Sequence, residues 1–143
     1  MFKQMLSHNQ RQFSTKVYPK TFDKILIANR GEIARRVIKT CRKMGIETVA
    51  VYSDADRHSM FVAEADQAYR IGPPPTNQSY LLMDVMLDVA RASGAQAVHP
   101  GYGFLSENPE FQKLLQAADM EFIGPGTEAI VAMGDKIESK KLA

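Results

Sequence analysis

Beyond Phe22 the sequence alternates short β-branched apolar runs with longer stretches of helical period, and no other feature limits the fold so sharply. Lys24-Ile25-Leu26-Ile27-Ala28 is apolar on both faces, as a strand covered from both sides must be. From Gly31 to Gly45, Ile33, Val37, Ile38, Cys41 and Met44 recur at helical spacing. Arg35, Arg36, Lys39, Arg42 and Lys43 lie off that stripe, where basic residues are ordinarily solvated, and Gly45 suits the stop. Thr48 to Tyr52 predicts a second strand, about His58 to Ala65 a short helix, and Ala68 to Gly72 a weaker strand nearer an edge. Pro73-Pro74-Pro75 then removes three amide donors and ends regular structure.

A helix over about Ser79 to Ser93 places Leu82, Val85, Met86 and Val89 on one face, and Ala95 to Val98 predicts the fourth strand. Ser106 is the expected cap of the next helix, with Glu107 in its first turn and Phe111, Leu114, Leu115 and Ala118 buried. Glu121-Phe122-Ile123 is the fifth strand, and Thr127 caps a last helix that meets Gly134-Asp135. Strands alternating with helices make right-handed βαβ units. The expectation is therefore an α/β fold, a five-stranded parallel sheet with helices on both faces.

Charge divides the chain unevenly. Residues 1–22 hold Lys3, Arg11, Lys16 and Lys20 and no carboxylate; taking these four from 18 basic residues leaves 14 against 16 acidic ones. The folded part is thus slightly acidic, which withdraws electrostatic support for nucleic-acid binding. Residues 1–21 read as a mitochondrial transit peptide or a disordered extension; basic, hydroxyl-bearing, acid-free composition and a helical spacing of Met1, Phe2, Met5 and Leu6 favour the first. No apolar run approaches the ~18 residues that span a bilayer. The single cysteine, Cys41, excludes an internal disulfide framework and a Cys-rich zinc site, and reads as core filling.

Ligands of open parallel sheets bind outside the carboxyl ends of the strands. A dinucleotide site there needs G-x-G-x-x-G, so that pyrophosphate approaches bare backbone, yet the first turn has only Gly31 between bulky Arg30 and Glu32. Asp54 and Asp56 then read as caps of the next helix rather than ribose ligands. The richest stretch is His99-Pro100-Gly101-Tyr102-Gly103-Phe104, a loop able to approach a ligand closely. Tyr102 offers a ring face and a hydroxyl to a small heterocycle; equally, Tyr102 and Phe104 are packing residues of a tight turn. His99 alone reads as a hydrogen-bonded structural histidine, and Lys136 alone as a solvated helix lysine. No metal-ligand spacing, Walker loop or Ser/His/Asp arrangement is present.

Seven stretches in one order carry a resemblance: residues 24–36, 53–57, 72–76, 79–80, 99–108, 122–125 and 133–136. With them, residues 22–143 resemble the N-terminal part of biotin carboxylase domains. Within that family the nearest look is to the propionyl-CoA carboxylase alpha subunits of mitochondria, chiefly through Met133 to Ser139. The resemblance implies the pre-ATP-grasp fold, Rossmann-like but without a dinucleotide. It divides the chain into residues 22–135, the domain itself, and 136–143, the start of a helix leading to an ATP-grasp domain. In the family, ATP and bicarbonate give carboxyphosphate, whose carbon dioxide passes to the ureido nitrogen of biotin on a carrier module.

Carried over residue by residue, Lys136 matches the lysine contacting ATP phosphates. Tyr102 and Gly103 match the loop lining the biotin and bicarbonate side of the cleft, with Glu107 just behind it. Arg36 and Lys39 match positions on a subunit-facing helix. The family's glycine-rich lid, magnesium-binding carboxylates and bicarbonate-holding lysine and arginine match nothing in these 143 residues. Phosphoryl transfer works by positioning and charge neutralisation, so these residues alone are expected to lack carboxylase activity. The expected partners are the remaining ATP-grasp part, a biotin carrier and a carboxyltransferase subunit, in the mitochondrial matrix, with no nucleic acid or membrane. A non-catalytic short chain that docks onto or regulates such a carboxylase fits the same resemblance.

Overall fold

The computed structural model describes residues 21–126 and 128–132. In chain order the elements are β1 (Lys24–Ile27), α1 (Gly31–Met44), β2 (Glu47–Ser53), α2 (Met60–Glu64), β3 (Gln67–Gly72), α3 (Met83–Ser93), β4 (Ala97–His99), α4 (Pro109–Ala117) and β5 (Glu121–Phe122). All five strands pair in parallel in the order β3-β2-β1-β4-β5. The expected parallel sheet is therefore present, with β3 at one edge.

Period-two alternation in β1 explains how both faces are covered. Ile25 and Ile27 point to a layer with Ala34, Ile38 and Cys41 of α1 and Phe61 of α2. Leu26 points to the opposite layer, with Met86 and Ala90 of α3 and Phe111 and Leu115 of α4. Burying each such large side chain contributes about 1.5–3 kcal/mol, which is why a strand apolar on both faces sits centrally. The helices leave the sheet on opposite sides because the chain reverses direction across it, passing from β3 at the edge to β4 beside β1. Cys41 is 4% exposed, as core filling requires.

Local stops follow the expected chemistry at α1: Gly45 takes the left-handed conformation (φ 73°), and the Ile46 amide donates to the Cys41 carbonyl at 2.9 Å. Two helix starts differ from expectation. Asn108, not Ser106, caps α4: its Oδ1 accepts from the amides of Glu110 and Phe111, with Pro109 preset for the first turn. Ser106 instead donates its amide to the Gly103 carbonyl, so Ser106 and Glu107 belong to the preceding turn. Helix α3 begins at Met83 rather than Ser79, because Ser79 Oγ turns back to the Pro75 carbonyl and the Tyr80 side chain is drawn inward. Its buried residues are Met86, Leu87, Val89, Ala90 and Ser93, which leaves the expected Leu82 and Val85 only partly buried. The expected cap Thr127 lies outside the described residues, while 128–132 are helical and Ile130 is buried.

Candidate functional site

Strand order places the switch point between β1 and β4, where the chain's progress across the sheet reverses and ligands of such sheets gather. Asn29 follows β1 there, 1% exposed. Its Nδ2 donates to the carbonyls of Pro100 at 2.8 Å and Tyr102 at 2.7 Å, while its Oδ1 accepts from the Arg30 amide at 2.8 Å. Every hydrogen-bonding group of that amide side chain has a partner on the backbone of the two loops. Gly101 rests directly on it: a Cβ at this residue would stand 2.7 Å from Asn29 Nδ2 and 2.8 Å from Ile33 Cγ2, and its φ of +66° is left-handed. The His99 ring closes the turn, its Nδ1 accepting from the Gly101 amide at 3.1 Å. Burial pushes the His99 pKa down, favouring the neutral ring that such an acceptor requires. His99 is thus the structural histidine expected.

A second network braces the rim from behind. Asp56 does not cap α2; its carboxylate is buried and accepts from Arg30 Nε at 2.6 Å, from a second Arg30 nitrogen, and from the Tyr80 hydroxyl at 2.6 Å. The Arg30 guanidinium, with help from Tyr80, holds the Asp56 carboxyl below its ordinary range despite burial. Burial, and then the bond to Asp56, push the Tyr80 hydroxyl up to about 12, so it stays a donor. Its oxygen also accepts from the Ser53 amide at 3.2 Å. Asp54 likewise does not cap: it forms a paired contact with Arg70 at 2.6 and 2.8 Å.

The two aromatic residues of the loop part company. Phe104 stacks on Tyr80, ring centroids 5.0 Å apart at 12°, and takes a left-handed φ of 46° to do so. Tyr102 is left 74% exposed. It overhangs a groove of about 510 Å³ that also includes His99, Gly101, Ile33, Val37, Arg36 and Ile123. Pockets of this size, mostly apolar with a few placed polar groups, suit small heterocycles. Gly103 and Glu107 sit on the same exposed loop, and Arg36, 75% exposed at its side chain, shares the groove with Tyr102. Lys136 lies outside the described residues. An exposed ring beside an apolar groove can cover a small ring-shaped ligand. Among the described residues no group of three or more His, Cys, Asp or Glu side chains comes together. Sequence reasoning passed over Asn29 and gave Asp56 a different task. The one available signal was an amide side chain directly after an apolar strand and before an arginine.

Fold and rim together define an open parallel α/β domain of Rossmann-like form without the glycine-rich dinucleotide loop. Residues 21–130 match the family described as biotin carboxylase, N-terminal domain, and the chain belongs to that family. It is 68% identical over 124 residues to the mitochondrial propionyl-CoA carboxylase alpha chain of Rattus norvegicus, covering 87% of this chain and 17% of that one. The corresponding human chain is 60% identical over 139 residues, covering 97% of this chain and 19% of that one. The chain thus spans under a fifth of the length of these relatives. Among solved structures, the biotin carboxylase domain of the 2-oxoglutarate carboxylase of Hydrogenobacter thermophilus, in complex with MgADP, ADP and bicarbonate, superposes with a TM-score of 0.79. It is 47% identical, over 85% of this chain and 27% of that one. The multifunctional pyruvate carboxylase of Rhizobium etli gives 0.77 at 40% identity, over 86% and 13%. The expected fold and family are both found, and relatives of this domain are parts of larger multidomain or multisubunit carboxylases.

Proposed function

We propose that this chain forms one wall of the active cleft of an ATP-dependent biotin carboxylase, within an acyl-CoA carboxylase of the mitochondrial matrix. The reaction is ATP, bicarbonate and carrier-bound biotin giving carboxybiotin, ADP and phosphate. The observation that carries this reading is Tyr102, exposed on a hydrogen-bonded loop beside an apolar groove that Arg36 also lines. Tyr102 and the adjoining Gly103 line the biotin side, Glu107 stands behind them, and Lys136 supplies a point charge to ATP phosphates. Mitochondrial relatives at 60–68% identity support the compartment and the propionyl-CoA branch. A magnesium ion would neutralise phosphate charge when bound, and its ligands belong to the ATP-grasp part, as the carrier and carboxyltransferase belong to further partners.

Complementation tests this reading. The 143-residue chain is mixed with a rat alpha chain from which the matching N-terminal region has been deleted, and bicarbonate-dependent ATP hydrolysis is measured. Neither part alone is expected to exceed background, and the mixture is expected to turn over. A mixture no better than its parts would overturn the proposal.

A further inference from the structure

We propose that Asn29 is the positioning residue of the Tyr102 loop: its amide closes the β1–β4 switch-point crevice and fixes the direction in which Tyr102 leaves the rim. Only the last step, that Tyr102 meets biotin, rests on the function proposed above. In a Rossmann-type sheet the crevice between these two strand ends is where a ligand enters. Here it is spanned by the protein itself. Asn29 Nδ2 has two hydrogens and donates one to each of two carbonyls that flank Gly101. No other uncharged side chain of this size offers two such donors together with an acceptor for the Arg30 amide.

The loop is therefore pinned twice, through the carbonyls of Pro100 and Tyr102 on Asn29, and through the Phe104 ring on Tyr80. The Tyr102 backbone is thus held at its own carbonyl by the first pin and two residues on by the second, while its side chain is exposed. Gly101 is the complement of the clamp, because any Cβ would press on the Asn29 amide. Preorganisation of this kind lowers the ordering cost when a ring docks on Tyr102.

Asn29→Asp keeps the shape and the acceptor but aims a carboxylate oxygen at two carbonyls. Amide hydrogen exchange on the full 143-residue chain then reads the clamp directly. The Gly101 and Ser106 amides, which bond to His99 Nδ1 and the Gly103 carbonyl, are expected to exchange about tenfold faster relative to Leu26 and Val49 in the central strands. Gly101→Ala attacks the same contact from the other side with Asn29 intact, and covers the case in which the first variant does not fold. In the complementation mixture with free biotin as substrate, both variants are expected to raise KM for biotin about tenfold with kcat within about twofold. Loop amides unchanged, or accelerated only in step with the central strands, overturn the clamp whatever the carboxylation assay shows. Loosened loop amides with an unmoved KM overturn the positioning role. A wild-type mixture without activity sinks the carboxylase reading alone, and the exchange result still decides the clamp.

Discussion

Replacing Asp56 by alanine removes the acceptor at the centre of the network behind the rim, and its cost can be worked from the contacts. The Tyr80 residue is 1% exposed, so its hydroxyl, deprived of a 2.6 Å partner, has no water to turn to. A stranded buried donor costs about 1–3 kcal/mol. The Arg30 side chain is 49% exposed and can turn outward, so losing its pair adds only about 1 kcal/mol rather than the full penalty of an orphaned buried charge. Asp56→Ala should therefore destabilise by about 2–4 kcal/mol. For a domain of this size that corresponds to a drop in Tm on the order of 10 °C.

A double-mutant cycle in urea, followed by circular dichroism, separates the two contributions. Tyr80→Phe alone should cost about 1–2 kcal/mol, since the Ser53 amide and Asp56 each lose a partner. Once the hydroxyl is gone, however, Asp56→Ala strands nothing, and the double variant should cost about 1–2 kcal/mol less than the sum. The pH dependence has a fixed sign. The Asp56 carboxyl is held below its unfolded value of about 3.9, so its contribution is complete above that pH and is lost as pH falls through the folded value. The gap between wild type and Asp56→Ala should accordingly close on acidification below about pH 4. Additive costs, or a gap that persists in acid, would refute the account of this network.

Two further outcomes follow from the rim. The His99 pKa is lowered by burial, so the unfolded chain takes up a proton near pH ~6.5 before the folded one does; stability is full above that pH and falls below it. His99→Asn retains an acceptor for the Gly101 amide and should flatten the loss of stability between about pH 7 and 5 in urea titrations; an unchanged slope would place the titration elsewhere. Tyr102→Ala touches a side chain on a residue 74% exposed, so urea stability should change by no more than about 0.5 kcal/mol. In the complementation mixture it should nonetheless lower kcat/KM for free biotin about tenfold, and an unaffected value would remove Tyr102 from the site.

The architecture was legible because it rests on local patterns. Ile25, Leu26 and Ile27 announce a doubly buried strand by being apolar in succession, and α1 announces itself through Ile38 and Cys41 at helical spacing. The misplaced helix starts mark where distant contacts take over. Ser79 lies in good helical sequence, yet α3 is delayed because the next residue, Tyr80, is committed to Asp56, 24 positions earlier. At α4 the deciding contest was between two neighbouring caps, Ser106 and Asn108, and Pro109 resolves it in favour of the residue before it. Tyr102 and Phe104 were indistinguishable as ring-bearing loop residues. They differ only because Phe104 finds Tyr80 beneath it, and that position is set by the same buried aspartate.

Asn29 shows why the site itself was less readable than its scaffold. Its partners are 71 and 73 residues away, brought to it by the order β3-β2-β1-β4-β5, and no spacing rule connects them. The missing glycine fingerprint had a physical counterpart that only the folded chain exhibits. A dinucleotide turn leaves backbone bare so that pyrophosphate can enter between the strand ends; here an amide side chain occupies that opening and ties one loop to the other. With the crevice spanned, the exposed ring of Tyr102 borders a groove lined by Ile33, Arg36 and Val37 of α1 and by Ile25 of β1 and His99 of β4. A closed opening of this kind supports the proposed role as one wall of a cleft whose phosphate chemistry lies elsewhere in the enzyme.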